Sequence, residues 1–227
     1  MELKVIARIR TDFPSKFGIP RQSGLAKTQA VIVFEPAYRD PAALRGLEEY
    51  SHLWLIWHFS ANPVRGFSPT VRPPRLGGNK RMGVFATRSP FRPNPIGLSS
   101  VRLVGIERTE EWGTVLRVEG ADLMDGTPIL DIKPYLPYTD CHADAVGGFA
   151  QRVAFNKLTV EFPAEWKALL SVEKAEALTE ILSEDPRPSY QEDAERIYGM
   201  PFAGFDVRFR VRDNVLTVLE MVPLEVV

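Results

Sequence analysis

The residues best suited to chemistry in this sequence are cations that lie far from any acid. No Asp or Glu occurs between Tyr50 and Ile106, although charged residues make up 25% of the 227-residue chain. The same segment carries aromatic rings, which can stack on bases, and cationic side chains, which attract phosphates. Its aromatic residues include Trp54, Trp57, Phe67, Phe85 and Phe91, and its cations between Val71 and Leu103 are Arg72, Arg75, Lys80, Arg81, Arg88, Arg92 and Arg102. This combination favours nucleic acid as a partner.

Two other interpretations of the basic stretch stay open on the residues alone. A basic face is often only solvated, or it could pair with the acidic region from Glu161 to Asp206, where eleven acids accompany four basic residues. The many prolines could also mark a flexible linker. Because proline fixes φ and residues 82–87 have the pattern of a strand, we expect ordered, rigid loops around that strand.

Several function classes are excluded by missing motifs. The sequence has no phosphate-binding loop of the G-x-x-x-x-G-K-[ST] type and no dinucleotide-binding G-x-G-x-x-G after a strand. Its single cysteine, Cys141, excludes an internal disulfide and a thiolate metal site, so we expect no metal and a reducing compartment. The first residues lack the apolar core of a signal peptide, and no apolar run has membrane-spanning length. We therefore expect a cytoplasmic protein with no membrane partner.

The elements that must position these residues are predominantly strands. The pattern of β-branched and alternating residues predicts strands over 1–10, 28–34, 51–60, 82–87, 98–106, 114–118, 129–135, 155–162, 205–211 and 214–221. The pair Asp40-Pro41 predicts the start of a short helix that ends near Glu49. A helical apolar stripe predicts a second helix over 163–183. The composition changes over 139–151, which we interpret as a domain boundary.

Two blocks of this sequence resemble the signatures of the TsaA-like/TrmO family. They are RPPRLGGNKRMGVFATRSPFRPNPIGLS and DLMDGTPILDIKPYLPYTD, and the resemblance extends over nearly the whole chain through FPSKFGIPRQSGL, RGLEEYSHLWL, SEDPRPSY and FDVRFRV. These blocks are long and unusual, which makes the resemblance specific. It implies a mainly β fold with some α. A small β-barrel, not a Rossmann sheet, would occupy residues 1–140, and a smaller α+β domain for tRNA recognition would occupy residues 150–227.

The family resemblance also implies an activity. Its members transfer a methyl group from S-adenosylmethionine to N6 of threonylcarbamoyladenosine, the modified purine beside the tRNA anticodon. It further implies a homodimer with the cofactor near the dimer interface. The alternative function is a non-catalytic protein that binds RNA or S-adenosylmethionine through the same barrel. The carboxyl-terminal blocks favour the enzyme, because a ligand-binding barrel alone would not need them.

The resemblance assigns cofactor contacts to particular positions of this chain. They are Pro20, Arg21 and Gln22 in one turn, Arg88, Leu98, and the turn formed by Asp125, Gly126, Thr127 and Pro128. Ser60 and Ala61 occupy a further contact position, but the family pattern has a His-Gln pair there. Backbone contacts at that position survive the change, whereas side-chain contacts do not.

Roles in catalysis and substrate binding follow from the chemistry of methyl transfer. The N6 amine must lose a proton, and Asn94, Asp131 and Tyr135 are the candidates to accept it or to orient the amine. Arg92 could hold the carboxylate of the threonylcarbamoyl group with two hydrogen bonds, or could simply tie down its own loop. Arg72, Arg75, Lys80 and Arg81 would hold tRNA phosphates. Arg187 and Tyr190 would help to recognise the tRNA, although Asp185-Pro186 and Arg187-Pro188 also suit the end of a helix.

Overall fold

The computed structural model describes residues 2–63, 67–73, 76, 80–152, 157–187 and 193–224. Strands make up 36% of these residues and helices, with the 3₁₀ turns included, 19%, so the prediction of a mainly β protein with some α is confirmed. Among the described residues, no helix is both long and apolar enough to cross a membrane. The same residues contain no cluster of three or more His, Cys, Asp or Glu side chains that could hold a metal ion.

Six antiparallel strands form a closed sheet. In ring order they are β1 (Ala7–Arg10), β2 (Gln29–Phe34), β7 (Gly113–Glu119), β6 (Ile96–Thr109), β3 (His52–His58) and β8 (Pro128–Pro134), and β8 pairs back onto β1. Alternate residues point inward, as the period of two requires. On β3, Leu53 and Leu55 are fully buried and Trp57 nearly so. Together with Ile9 and Leu116 these side chains belong to the buried core of the closed sheet.

A second sheet has four strands in the order β10 (Tyr198–Phe202), β11 (Phe205–Arg212), β12 (Val215–Pro223) and β9 (Thr159–Glu161). Helix α4 (Val172–Ser183) buries Leu178, Ile181 and Leu182 in the same cluster as this sheet. The predicted hairpin over 205–221 is therefore confirmed. Strand β10 was not predicted, because its sequence YGMPF contains Gly and Pro. Its edge position explains how the sheet tolerates Pro201.

Shorter elements complete the described chain. They are the two-residue strands β4 (Thr70–Val71) and β5 (Met82–Gly83), the helices α1 (Pro137–Asp140), α2 (Gly148–Arg152) and α3 (Ala164–Lys167), and 3₁₀ turns over Pro36–Tyr38, Pro41–Leu44, Leu47–Glu49 and Val84–Ala86. The predicted helix start at Asp40 is confirmed, since its carboxylate accepts a hydrogen bond from the Ala42 N–H at 2.9 Å. The helix itself is two separate 3₁₀ turns, because Gly46 adopts the left-handed conformation between them.

Two predictions about element type were wrong. The strand expected over 82–87 ends at Gly83 and continues as a 3₁₀ turn, which the Thr87 hydroxyl closes by donating to the Val84 carbonyl at 2.9 Å. The helix expected over 163–183 is interrupted between α3 and α4. Ser171 caps α4 by accepting from the Lys174 N–H, and the stripe residue Leu169 lies 47% exposed in the gap.

The loop over 11–28 connects the two sheets, because it leaves the closed sheet and packs into the core of the other. Phe13 is buried there against Phe202, with ring centroids 5.5 Å apart. Gly18 makes this approach possible. Its φ is +92°, and a Cβ atom at this position would lie 2.2 Å from the sulfur of Met200. The loop therefore holds the turn at residues 20–22 against both halves of the protein.

Candidate active site

A cavity of about 450 Å³ opens at one end of the closed sheet. Its walls come from segments that are distant in sequence: the 20–22 turn, the end of β3, the 87–92 loop, the start of β6 and the segment after β7. The lining residues are Pro20, Arg21, Gln22, Trp57, Phe59, Thr87, Arg88, Pro90, Arg92, Ile96, Gly97, Leu98 and Asp122. The fold thus brings Arg92 together with five of the residues that the resemblance assigns to the cofactor, which are Pro20, Arg21, Gln22, Arg88 and Leu98.

The apolar wall of the cavity depends on one glycine. Gly97 on β6 pairs with Trp57 on β3, and a Cβ atom at Gly97 would lie 2.2 Å from the indole ring. Without that atom the indole lies flat against β6, and the Phe59 ring packs on it with centroids 4.2 Å apart. Leu98, the next residue of β6, is 53% exposed at the cavity mouth. The result is an aromatic floor of two tilted rings beside an exposed aliphatic side chain.

The 20–22 turn and the 87–92 loop are joined by one hydrogen bond. The Nη1 group of Arg88 donates to the amide oxygen of Gln22, and the amide nitrogen of Gln22 donates to the Arg21 carbonyl. Arg21 itself donates from Nη2 to the Asp185 carbonyl at 2.9 Å, which reaches the segment after α4. Arg88 therefore bonds to a neutral oxygen and keeps its positive charge in the cavity.

Arg92 has the structural role that the sequence left open. Its Nη1 donates to the Thr87 carbonyl at 2.7 Å and to the Val84 carbonyl at 3.4 Å, and its guanidinium lies 5.9 Å from the centroid of the Phe85 ring. These contacts fold the loop back on itself. Arg92 also lines the cavity. Anchoring the loop and presenting a positive charge are thus compatible roles for one side chain.

Asp122 is a cavity residue to which the sequence assigned no role. The Ser99 hydroxyl donates to its Oδ1 at 2.5 Å, and the Trp57 indole N–H donates to the Ser99 oxygen at 3.0 Å. Burial raises the pKa of the Asp122 carboxyl, while the Ser99 hydrogen bond and the charge of Arg88 act in the opposite direction. A polar residue between the buried Ala121 and Leu123 was the only signal in the sequence.

The turn over 125–128 lies elsewhere on this chain. The carboxylate of Asp125 accepts from the Thr11 N–H at 3.0 Å, and the Gly126 N–H donates to the Ile9 carbonyl at 2.8 Å. Thr127 is buried, and Pro128 begins β8. The turn therefore closes the seam between β1 and β8 and does not line the cavity. Ser60 and Ala61 form the turn after Phe59 and do not line it either.

The three candidates for handling the N6 proton do not line the cavity. Asp131 is on β8, in one cross-strand row with Ile56 and Leu98. It forms an ion pair with Lys133 at 2.9 Å, so the prediction that Asp131 and Lys133 share a face is confirmed. Two strand spacings separate it from Leu98, which is roughly 10 Å. Tyr135 packs against Trp54 with centroids 5.5 Å apart, and Asn94 is an exposed loop residue.

The predicted phosphate-binding residues are spread over loops. Arg72 and Lys80 are exposed, and Arg81 donates to the Thr70 hydroxyl at 3.0 Å. Arg187 forms a two-bonded ion pair with Asp185, with both N–O distances at 2.8 Å. Arg75 and Tyr190 lie outside the described residues.

A second cavity of about 220 Å³ adjoins the first. It is lined by the loop over 16–21 and by Ile181 and residues 184–187, so Pro20 and Arg21 border both cavities. The Arg187–Asp185 pair thus faces a space that is separated from the first cavity by a single turn. The turn at Pro20 and Arg21 is therefore a wall of the first cavity and also borders the space lined by residues 184–187 after α4.

Comparison with known proteins places this arrangement in a class. The family model of the tRNA-methyltransferase O N-terminal domain matches residues 8–141, and that of the TrmO C-terminal domain matches residues 155–224. The tRNA (adenine(37)-N6)-methyltransferase of Escherichia coli K12 is 42% identical over 231 residues, covering 98% of each chain. A putative S-adenosylmethionine-dependent methyltransferase of Pseudomonas aeruginosa is 40% identical over 225 residues, covering 95% of each. A crystal structure of TrmO superposes with a TM-score of 0.79 at 35% identity, covering 98% of this chain and 99% of that one.

A closed-sheet protein with this cavity and these relatives is a methyltransferase. More narrowly, the chain belongs to the TrmO family, and the resemblance deduced from the sequence is confirmed over nearly its whole length.

Proposed function

We propose that this protein methylates N6 of adenosine 37 in tRNA, and that its substrate is the threonylcarbamoyl form of that adenosine. The observation that carries the proposal is the cavity in which Arg88, Arg92 and Asp122 converge beside the aromatic floor of Trp57 and Phe59. A relative of nearly equal length, from Escherichia coli K12, is named for the methylation of adenine 37. Arginines near an aromatic surface suit a base that carries an anionic substituent.

The methyl donor we propose is S-adenosylmethionine, which supplies an electrophilic methyl group on a sulfonium sulfur. A cavity of about 450 Å³ lies within the roughly 300–1,000 Å³ of ligand sites, so its size fits this cofactor. Its chemistry fits as well. Arg88 can bind the cofactor carboxylate, the 20–22 turn offers backbone and amide groups, and Leu98 covers apolar atoms. The turn over 125–128 does not line this cavity, so any contact from it would come from another copy of the chain.

Arg92 is the residue that would distinguish threonylcarbamoyladenosine from adenosine. Its Nη1 is committed to backbone carbonyls, but a guanidinium has five N–H donors, and the remaining edge can bind a carboxylate. Because the loop is already anchored by Arg92, little conformational entropy is lost when this edge binds the substrate. The positive charge therefore sits on a rigid support.

Recognition of the tRNA would use both halves of the chain. Exposed Arg72 and Lys80, with Arg81 and Arg75, would neutralise phosphates. We assign residues 1–140 to the cofactor and the reaction, and residues 150–227, with Arg187 and Tyr190, to the tRNA. A cytoplasmic homodimer is part of the proposal, and the exposed side chains of Phe91, Ile96 and Leu98 at the cavity mouth support burial against a second copy.

The test is methyl transfer from labelled S-adenosylmethionine into two tRNA pools, one with threonylcarbamoyl groups and one without. We expect label in N6-methyl-threonylcarbamoyladenosine at position 37 and none in the second pool. Equal labelling of both pools would reject the proposed substrate but keep a tRNA methyltransferase. If neither pool is labelled, tRNA is not the substrate.

A further inference from the structure

Among the described residues that line the first cavity, Asp122 is the only acidic one. Its side chain is partly buried, and this burial raises the pKa of the carboxyl. A buried carboxylate is costly unless hydrogen bonds and nearby charges compensate it. The hydrogen bonds around the Asp122 carboxyl indicate what this group can do in the cavity.

The hydrogen-bond directions around Asp122 follow from chemistry. The indole N–H of Trp57 can only donate, so the Ser99 oxygen accepts that bond at 3.0 Å. The proton of Ser99 is therefore directed to Oδ1 of Asp122, 2.5 Å away. Oδ1 therefore acts as an acceptor, which leaves Oδ2 as the oxygen that can take up a proton. A carboxylate has room for about four hydrogen bonds, and it retains accepting capacity for a ligand.

We propose, on the basis of the function proposed above, that Asp122 accepts the N6 proton during methyl transfer, with Ser99 and Trp57 as positioning residues. The N6 lone pair forms the new bond to the methyl carbon as the carbon–sulfur bond breaks, and the sulfur keeps that electron pair as a neutral thioether. The N6 proton passes to the Asp122 carboxylate and then to solvent. The positive charge of the sulfonium and the negative charge of the carboxylate disappear together.

The surroundings of Asp122 suit this role better than those of the other candidates. Asp131 is held in an exposed ion pair with Lys133, outside the cavity lining. Burial makes Asp122 a stronger base than an ordinary aspartate, because it raises the pKa of the carboxyl. Arg88 lies near enough to act on the same carboxyl electrostatically. Proton transfer of this kind typically contributes about 10²- to 10⁴-fold to a rate.

The decisive measurement is the single-turnover rate at saturating S-adenosylmethionine and tRNA, for the unaltered enzyme and for Asp122→Asn. The variant keeps the shape of the side chain and an acceptor for Ser99 but is not basic. We expect a rate loss of at least about 100-fold, with cofactor affinity by calorimetry unchanged within about threefold. A weakened cofactor affinity with a normal rate at saturation would overturn the proposal. Asp131→Asn measures the competing acceptor, and a larger loss there would also overturn it.

Ser99→Ala separates an active proton acceptor from a structural carboxylate. Removing the Ser99 donor raises the pKa of Asp122 further, so the acid side of the rate–pH profile should move to higher pH while the plateau rate changes little. Asp122→Asn should abolish that acid limb. An unmoved limb in Ser99→Ala would reject the role of Asp122 even if Asp122→Asn failed to fold. Asp40→Asn, which keeps the capping oxygen of an exposed turn, is the matched control.

The measurements use whichever tRNA pool the unaltered enzyme methylates. If that pool lacks threonylcarbamoyl groups, the proposed substrate fails, and the rates of Asp122→Asn on the same pool still decide the role of Asp122. If the pool is the expected one and Asp122→Asn is fully active, the proposed substrate stands and the proton acceptor is another group.

Discussion

Arginines are used in opposite ways in the closed sheet and in the four-stranded sheet. On β11, Arg208 forms ion pairs with Asp206 and Glu220 at 3.2 and 2.9 Å, and Arg212 pairs with Glu195. In the cavity, Arg88 and Arg92 donate to an amide oxygen and to carbonyl oxygens. Both sets are ordered by hydrogen bonds, but within the described chain only the first set forms direct ion pairs with acids.

This difference shows that the partner of an arginine indicates what it is available to do. A neutral acceptor fixes the guanidinium in place without cancelling its charge, so the charge remains available to an incoming anion. A carboxylate partner fixes the side chain and neutralises it. The acid-free composition of residues 51–106 favours the pairing of arginines with neutral acceptors, since no Asp or Glu is close in sequence.

The largest effect is expected from Arg88→Ala. The loss of a charged hydrogen-bonding group is worth about 1.5–3 kcal/mol, so we expect cofactor affinity to fall by about 10- to 150-fold while the fold survives. Calorimetry with S-adenosylmethionine measures the affinity, and Arg208→Ala on β11 is the control, expected to bind normally. Equal losses in the two variants would erase the distinction between the two sets of arginines.

Gly97→Ala tests the cavity wall independently of its charges. The added methyl group meets the Trp57 ring at 2.2 Å, and overpacking of this kind costs about 1–3 kcal/mol. We therefore expect a lower midpoint in urea and displaced indole fluorescence. The matched control is Gly105→Ala on the same strand, where a Cβ atom meets nothing within 4 Å. A stable Gly97→Ala variant with an unchanged Trp57 environment would contradict the packing argument.

Charge reversal of exposed loop cations should have a smaller effect that depends on salt. For Arg72→Glu with Lys80→Glu we expect weaker tRNA binding, and the slope of log affinity against log salt should fall by about 2. Filter binding at several salt concentrations measures both quantities. Arg208→Glu is the control, because that side chain is already paired with acids. If the double variant binds tRNA at low salt as tightly as the unaltered protein does, the basic loops are not part of the proposed interface.

The smallest effect is expected from Arg208→Gln. Its ion pairs are exposed, and pairs of this type contribute little because solvent screens them. We expect methyl transfer and thermal unfolding to match the unaltered protein within error. A clear loss of tRNA binding would mean that β11 belongs to the recognition surface.

The sequence predicted the secondary structure correctly where the residues of a single element determine it. β-branched residues predicted β2, an aromatic and apolar run predicted β3, Asp40 predicted a cap, and the absence of acids predicted a basic stretch. It failed where another interaction overrides the apolar pattern. Val84 turns inward and ends β5, and α3 and α4 separate because Ser171 caps the second helix. Neither event follows from the local apolar pattern.

The candidate site divides in the same way. The sequence by itself determined the family, the mainly β fold and the excess of cations, because these depend on residue types and on motifs contiguous in the chain. Only the tertiary structure decided which residues meet. It joined Gln22 to Arg88 across 66 positions and Trp57 to Ser99 across 42. It also placed Asp122 in the cavity and the turn over 125–128 at the seam of the sheet. The physical reason is that strand pairing and loop packing set these distances, and both depend on contacts between segments far apart in the chain.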